Sequence, residues 1–300
     1  MANSSDAAIA DSQLGSGAYS VSSKRRIFGK VMTVLAGACA AIALIPLASI
    51  IFTLVVNGFS RFNLEVFTEL PPPPLSDGGG FRNALIGTLI TVFIGSLICV
   101  PFGVLAAVYQ SEFGRGSKLA SVIRFCTNVL SGVPSIIAGL FAYGLVVLVT
   151  GTFSAVAGGV ALSVLMLPIV VRTAEEGLKS IPMDVRRAAV GVGATNFQVV
   201  WKIVLPAALP FIATGVTLAV ARAAGETAPL LFTALFNQYG ITGLEDIWQP
   251  IATLSVMIYT YSISPYQNQQ ELAWVAALVV VLLILTVSII SRYIARRRVY

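Results

Sequence analysis

Apolar runs of roughly twenty residues recur along the chain and alternate with short segments that carry most of the lysines and arginines. A helix needs about 20 apolar residues to cross the ~30 Å hydrocarbon core of a bilayer. The pattern predicts six such helices, over about residues 31–56, 83–110, 129–150, 153–171, 207–236 and 272–291. Period-two alternation, which is typical of outer-membrane barrels, does not occur. The sequence therefore predicts an all-α polytopic membrane protein.

The segments between these helices differ in character. Residues 1–23 are rich in Ser, Ala and Gly, so we expect a disordered tail ahead of a membrane domain at 24–300. The Pro- and Gly-rich stretch 57–82 and the stretch 237–271 are predicted to be external loops. Within the second loop, residues 247–261 are interrupted by a proline and favour an interfacial helix. Residues 172–206 form the longest polar stretch and are predicted to be a cytoplasmic loop.

The charge distribution gives the predicted orientation. All but three of the 19 lysines and arginines fall on the side of the two termini in a six-span topology; Arg61 and Arg82 lie opposite and Arg222 lies within a span. The positive-inside rule then places both termini in the cytoplasm, as in a multi-pass protein of the bacterial inner membrane. Because the basic residues follow this topology, the net charge of +6 does not indicate nucleic acid, and membrane lipid is the expected surrounding.

The composition excludes several kinds of chemistry. Only 11% of residues are charged, against about 25% in soluble domains. There is no histidine, and Cys39, Cys99 and Cys126 lack metal-ligand spacing, so we expect no metal and no cofactor. The sequence has no G-x-x-x-x-G-K-[ST] motif and no nucleophile elbow. We therefore expect no catalytic residues and no ATP site in this chain.

Arg222 and Glu226 are ionisable residues inside the predicted fifth span. Each costs about 2.5 to 3.5 kcal/mol at the centre of a membrane helix on insertion scales. Their spacing of four residues predicts that they share one helix face, and the adjacent Thr227 adds a hydroxyl. One interpretation is an ion pair that lowers the insertion cost of both groups. The other is a polar site for a small anion, because arginine offers a planar fork of donors to an oxyanion.

The polar stretch contains a spaced motif, A-A-x3-G-x9-I-x-L-P, which places Ala188, Ala189, Gly193, Ile203, Leu205 and Pro206. It resembles the EAA loop of ABC importer permeases, in which a short helix turns at the glycine and docks on an ATPase subunit. Arg187 stands where that family has a leading glutamate, which puts one contact with the ATPase in doubt. The alternative is an ordinary amphipathic cytoplasmic loop.

The segment 221–234, Ala-Arg-Ala-Ala-Gly-Glu-Thr-Ala-Pro-Leu-Leu-Phe-Thr-Ala, is similar to phosphate permeases of the PstA type. The resemblance extends from about residue 25 to the C-terminus and implies the MetI-like fold of type I ABC importers. It implies a transport subunit for inorganic phosphate that is not itself an enzyme. It also implies three partners: a PstC-type permease, a dimer of a PstB-type ATPase and an external PstS-type phosphate-binding protein.

The resemblance adds two hypotheses about residues. Arg172, at the predicted end of the fourth span, matches a position that the family associates with transport, although a positive-inside anchor explains it equally well. Glu226 can accept a hydrogen bond from a protonated phosphate oxygen, whereas fully ionised sulfate offers no proton, so the carboxylate would favour phosphate.

Two other functions stay open from the sequence. The first is an ABC permease for another oxyanion, such as sulfate or molybdate. The second is a stand-alone ion-coupled carrier, which would need internal repeats and its own coupling-ion site. Neither feature is visible in the sequence, and the cytoplasmic loop would then have no role.

Overall fold

The computed structural model describes residues 23–114, 116–240 and 243–296, and every regular element in these ranges is helical. Five helices are long and apolar enough to cross a membrane, and one bent helix pair is a candidate for a sixth crossing. The predicted all-α polytopic fold is confirmed. Residues 1–22 of the predicted tail lie outside the described residues, as do Arg297 and Arg298.

Helix α1 (Ser23–Phe59) begins with basic residues and is then apolar on all sides. Its 37 residues give a length of about 55 Å, which exceeds the thickness of the hydrocarbon core. Among the described residues, those up to Thr53 belong to one compact unit, and those from Leu54 onward belong to a second unit.

The second unit contains the remaining helices. In chain order they are α2 (Arg82–Val108), followed by a π-helical turn at Tyr109–Phe113; α3 (Lys118–Gly132); α4 (Ser135–Ala142), extended by a π-helical turn at Tyr143–Val147 and a last turn at Leu148–Thr150; α5 (Ala155–Lys179); α6 (Met183–Gly191); α7 (Asn196–Val199), followed by a π-helical turn at Val200–Val204; α8 (Leu205–Ala224); α9 (Ala228–Leu231); α10 (Leu254–Ser262); and α11 (Gln267–Arg296). Short turns lie at Glu65–Thr68 and Leu244–Trp248.

The third predicted span is a broken helix pair rather than one helix from residue 129 to 150. Helix α3 already begins at Lys118, and its axis bends by 110° relative to the following helical run, Ser135–Thr150. The break lies at Val133–Pro134, because proline lacks the backbone donor and holds the residue before it in an extended conformation. The run then ends at Gly151, whose φ is +73°.

Helix α5 is the most enclosed long helix of the described chain, with 67% of its most apolar window buried. It packs against α2 on one side and α8 on another. Small residues permit the close approach: a Cβ added to Gly215 of α8 would lie 1.8 Å from Oγ1 of Thr173 on α5. Helix α5 continues to Lys179, eight residues beyond the predicted end of the fourth span at residue 171.

The segment 237–271 contains a buried helix instead of the predicted interfacial one. Leu254, Met257 and Tyr261 of α10 are buried and pack with residues of α11 such as Leu272. Thr88 of α2 accepts a hydrogen bond from the backbone N–H of Leu254 at 2.8 Å. Most apolar side chains of this helix therefore face protein, and Pro250 lies before the helix, outside any regular element.

Candidate functional site

Two arginines line a small cavity between three helices. The cavity has a volume of about 200 Å³ and lies between the end of α3, the middle of α5 and the end of α8. Its lining residues are Leu130, Ser131, Val133, Leu165, Pro168, Ile169, Arg172 and Arg222. The sequence analysis proposed Arg172 and Arg222 separately, and the structure brings them to the same cavity.

Arg172 lies inside α5, seven residues before the end of that helix and one residue beyond the predicted end of the fourth span. One of its terminal nitrogens, Nη2, donates to the amide oxygen of Asn128 at 2.9 Å and to the hydroxyl of Ser131 at 3.0 Å. Both acceptors belong to α3, so contacts with the neighbouring helix orient the guanidinium group beside the cavity.

The sequence analysis missed Asn128 and Ser131. They are three residues apart, so they share one face of α3. The only signal in the sequence is this pair of polar side chains in the turn before Val133 and Pro134. That spacing does not identify Arg172 as the partner, because the two contacts join residues more than forty positions apart.

Arg222 and Glu226 form an ion pair across the end of a helix, with 3.3 Å between Nε and Oε1. The predicted span over 207–236 is wrong at its end, because α8 stops at Ala224. Pro229 explains the stop, since its ring clashes with the carbonyl group four residues earlier and it has no N–H to continue the helix. The pair therefore keeps the predicted spacing but not a shared helix face.

A hydrogen bond from α10 fixes the backbone of the chain at Glu226. The backbone oxygen of Glu226 accepts a hydrogen bond from the hydroxyl of Ser255 on α10 at 2.9 Å. Thr227 is the residue before α9, and its side chain makes no capping hydrogen bond there. Thr227 is also not among the residues that line the arginine cavity.

The electrostatic character of the cavity follows from its charged groups. Arginine stays protonated in proteins, so both guanidinium groups are permanent cations. Glu226 neutralises one of them, and its side chain is 17% exposed, compared with 56% for Arg222. The arrangement therefore has an excess of one positive charge and offers arginine N–H donors, which suits a small oxyanion.

The loop between α5 and α8 has the predicted turn. Helix α6 carries Arg187, Ala188 and Ala189, and Gly193 follows with a φ of +92°, in the left-handed region. Ala189 is buried in a cluster with residues of α2, α5 and the π-helical turn before α8, whereas Arg187 and Ala188 are exposed. The face of α6 that carries Arg187 and Ala188 is thus exposed in the described part of the chain.

The second half of this loop leads directly into α8. Thr195 caps α7 reciprocally with Gln198, in a capping box. Helical structure then runs from Asn196 to Ala224 without a break, with Pro206 in the first turn of α8. Ile203 and Leu205 are partly buried against the same cluster that holds Ala189. One 29-residue helical segment therefore connects the loop to the turn that carries Arg222.

Arg187 contacts Asp184 on its own helix, with 3.8 Å between Nη1 and Oδ1, and both side chains are mostly exposed. In the EAA motif of the family, this position is a glutamate. In the described chain the arginine makes only this contact within α6, which leaves its guanidinium group at the surface.

Comparison with known proteins places these features in a family. Residues 99–300 match the model of binding-protein-dependent transport system inner membrane components. The chain is 40% identical over 274 residues to the phosphate transport system permease protein PstA of Yersinia pestis, covering 91% of this chain and 92% of that protein. It is 43% identical to the PstA protein of Haemophilus influenzae, covering 89% and 94% of the two chains.

Solved structures show the same fold at low sequence identity. A chain of a bacterial alginate ABC transporter superposes with a TM-score of 0.62 at 16% identity, covering 91% of this chain and 96% of that one. A chain of the MetNI methionine ABC transporter, in an inward-facing conformation, superposes with a TM-score of 0.58 at 24% identity, covering 73% and 94%.

Proposed function

The chain belongs to the family of binding-protein-dependent transport system inner membrane components, and we infer that it is the permease subunit of an ATP-driven importer of inorganic phosphate. It is a multi-pass membrane protein and not an enzyme, since the ATPase of such an importer is a separate subunit. It works with a second permease, an ATPase and a binding protein. The partners we propose are of the PstC, PstB and PstS types, with both termini of this chain in the cytoplasm.

The cavity lined by Arg172 and Arg222 is the observation that supports phosphate binding most directly. Each guanidinium group presents a planar set of N–H donors, the geometry that a phosphate oxyanion accepts. Arg172 is oriented by Asn128 and Ser131, and Arg222 is oriented by Glu226. We propose that phosphate passes between these two arginines on its way through the membrane.

Glu226 has a separate role in this proposal. Its carboxylate repels anions, but it accepts a hydrogen bond from a phosphate oxygen that carries a proton. Sulfate at neutral pH has no such proton, so it would donate no hydrogen bond to the carboxylate and would place a second negative charge beside it. The carboxylate would then discriminate against sulfate and molybdate while the arginines supply the attraction.

We propose that the loop of residues 183–206 transmits the ATPase motion to this cavity. Ala188 and Arg187 lie on the exposed face of α6, where a partner subunit can contact them. The helical segment that carries Arg222 in its last turn starts in the same loop. A displacement of the loop along this segment would move Arg222 relative to Arg172, and would open the cavity to one side at a time.

Uptake of radiolabelled phosphate tests this function. Cells that lack their own high-affinity system would express this chain together with its partner subunits, either as wild type or as Arg222→Gln or Arg172→Gln. Loss of a charge-assisted hydrogen bond costs about 1.5 to 3 kcal/mol, so we expect each variant to raise the apparent KM about tenfold or more. Arg124→Gln is the matched control, because Arg124 pairs with Glu175 outside the cavity and should leave uptake unchanged.

Two outcomes would contradict the proposal. If cells that express the wild-type chain take up no phosphate, while sulfate or molybdate stimulates the ATPase, phosphate is excluded as the substrate. Normal uptake by both cavity variants, at equal protein levels, would exclude the arginine cavity from the path.

A further inference from the structure

The most enclosed ion pair of the described residues lies outside the arginine cavity. The side chains of Arg186 on α6 and Glu112 in the π-helical turn after α2 are 10% and 7% exposed. In every other ion pair of the described chain, at least one partner is 42% exposed or more. A charge pair that is desolvated to this degree needs close geometry and further hydrogen bonds to be maintained.

The geometry of the pair meets that requirement. Arg186 donates from Nη2 to Oε1 of Glu112 at 2.9 Å and from Nε to Oε2 at 3.3 Å, so both carboxylate oxygens are engaged. The same nitrogen Nη2 donates to the backbone oxygen of Leu178 at 2.8 Å, and Nη1 donates to the backbone oxygen of Ile181. A helix end with free carbonyl groups favours a cation, and these carbonyls lie at the end of α5.

Three elements therefore meet at one guanidinium group: α6, the end of α5 and the turn that ends α2. Only Arg186 and Ala189 are buried within α6, so the ion pair is one of two anchors of this short helix. Gln110, in the same π-helical turn, has an amide whose nitrogen and oxygen find no hydrogen-bond partner among the described residues. Gln110 thus makes no hydrogen bond to α6 that could substitute for the contact of Glu112 with Arg186.

The position of this joint matters for the cavity. Helix α5, whose end is held by Arg186, carries Arg172 at the cavity. The other cavity arginine, Arg222, is reached from the same loop through the continuous helical segment that starts at Asn196. Motion of α6 can therefore reach one side of the cavity through this joint and the other side through α8.

We propose that the Arg186–Glu112 pair is a rigid joint that makes α6 move together with α5 and the end of α2, and that this joint is required to couple ATP hydrolysis to transport. Arg186 and Glu112 are positioning residues in this proposal and do not touch the substrate. The proposal rests on the function inferred above, since it presupposes an ATPase that contacts the loop.

The test compares transport with ATP hydrolysis in one preparation. The full complex would be reconstituted in vesicles with its binding protein, and the phosphate imported per ATP hydrolysed would be measured for wild type and Glu112→Gln. Breaking a coupling network changes the coupling between two sites by a factor of roughly 2 to 30. We therefore expect the phosphate imported per ATP to fall about tenfold while ATPase activity is retained. Arg124→Gln is the control, because Arg124 forms a partly exposed ion pair with Glu175 that lies outside both the joint and the loop proposed to contact the ATPase.

A second variant separates coupling from folding. Removing one partner of a buried ion pair strongly destabilises a protein, whereas replacing both by apolar residues is often tolerated. The double variant Glu112→Leu with Arg186→Met should therefore assemble with its partners, as judged by co-purification. It still lacks the hydrogen bonds to Leu178 and Ile181, so its transport ratio should fall as in the single variant.

Either variant, assembled and with the wild-type ratio, would overturn the proposal. Failure of the proposed function would be recognised differently, since the wild-type complex would then import another oxyanion such as sulfate in place of phosphate. The ratio would in that case be measured with that anion, and the same comparison would test the joint.

Discussion

At the scale of single residues, Glu226 combines an attractive and a repulsive contact. Its carboxylate stabilises Arg222 at 3.3 Å, yet it has the same sign of charge as the anion that Arg222 would bind. Membrane ionisable residues are costly, and a carboxylate beside a candidate anion site needs a reason. The reason we propose is recognition of a protonated oxygen.

The variant Glu226→Gln tests this role. Glutamine keeps the size of the side chain and can donate to any oxyanion, so we expect the preference for phosphate over sulfate to fall about tenfold, through weaker exclusion of sulfate. Competition of unlabelled sulfate against labelled phosphate uptake measures the preference. An unchanged preference would contradict the proposed role of the carboxylate.

Tyr261 is a second informative residue, because its hydroxyl is buried without a hydrogen-bond partner among the described residues. The same burial raises the pKa of Tyr261 to about 12. An unsatisfied buried hydroxyl costs about 1 to 3 kcal/mol, so Tyr261→Phe should leave the thermal midpoint of the purified protein unchanged or raise it by a few degrees.

The ring of Tyr261 provides the control for this prediction. It packs edge-on against Phe236, with 5.7 Å between ring centroids, and Tyr261→Leu would lose that contact. We therefore expect Tyr261→Leu to lower the midpoint. A lower midpoint for Tyr261→Phe would instead show that the hydroxyl makes a stabilising hydrogen bond in the folded protein.

At the scale of elements, the loop after α6 depends on one backbone conformation. Gly193 has a φ of +92°, where a side chain is strained, although no atom lies within 4 Å of the position of its absent Cβ. Any effect of a larger residue would thus come from the backbone and not from a clash. Strain of this kind amounts to about 1 to 3 kcal/mol.

We expect Gly193→Val to weaken binding of the ATPase subunit about tenfold, because the loop would relax into another shape at the docking surface. Co-purification of the tagged ATPase with this chain over a range of concentrations measures the affinity. Gly191→Ala is the matched control, since Gly191 has open space around its Cα and no positive φ. Equal affinity of both variants for the ATPase subunit would show that docking does not require the left-handed backbone conformation at Gly193.

Element boundaries also show what the sequence could and could not predict. Hydropathy identified where the membrane helices lie, because each carries enough apolar residues to be recognised without its neighbours. It did not show the bend before Pro134 or the end of α8 ahead of Pro229, since averaging over a window hides a single proline. Both corrections change the site, because the bend ends α3 beside the cavity and the early end of α8 leaves Glu226 beyond that helix.

At the site, contacts between residues far apart in the sequence limit what can be predicted. Arg222 and Glu226 were found from their spacing alone, and that ion pair is present. The contacts of Arg172 with Asn128, and of Arg186 with Glu112, join positions 44 and 74 residues apart. They depend on which faces of the helices meet, which no local pattern in one sequence encodes.

At the scale of the whole molecule, the loop that contains Val192 and the loop that contains Tyr239 are assigned to opposite sides of the membrane. Cross-linking tests this assignment. Thr195 is unsuitable for a cysteine because it caps α7, whereas Val192 is 88% exposed beside it. In a background without Cys39, Cys99 and Cys126, we expect Val192→Cys to cross-link to the ATPase subunit. Tyr239→Cys, 80% exposed in the predicted external loop, is the control that should not. The reverse pattern would invert the proposed topology.

The paired arginines of the cavity also bear on the electrical work of import. Moving one elementary charge through 100 mV takes about 2.3 kcal/mol, so a divalent phosphate entering a negative interior is opposed by about 4.6 kcal/mol per 100 mV. Fixed cations partway along a path lower the energy of the anion only while it lies beside them, and they leave the difference between the two sides unchanged. Arg172 and Arg222 therefore determine where the anion pauses, and the voltage is opposed by ATP hydrolysis alone. Depolarisation should raise the steady-state accumulation of phosphate in cells that express this importer.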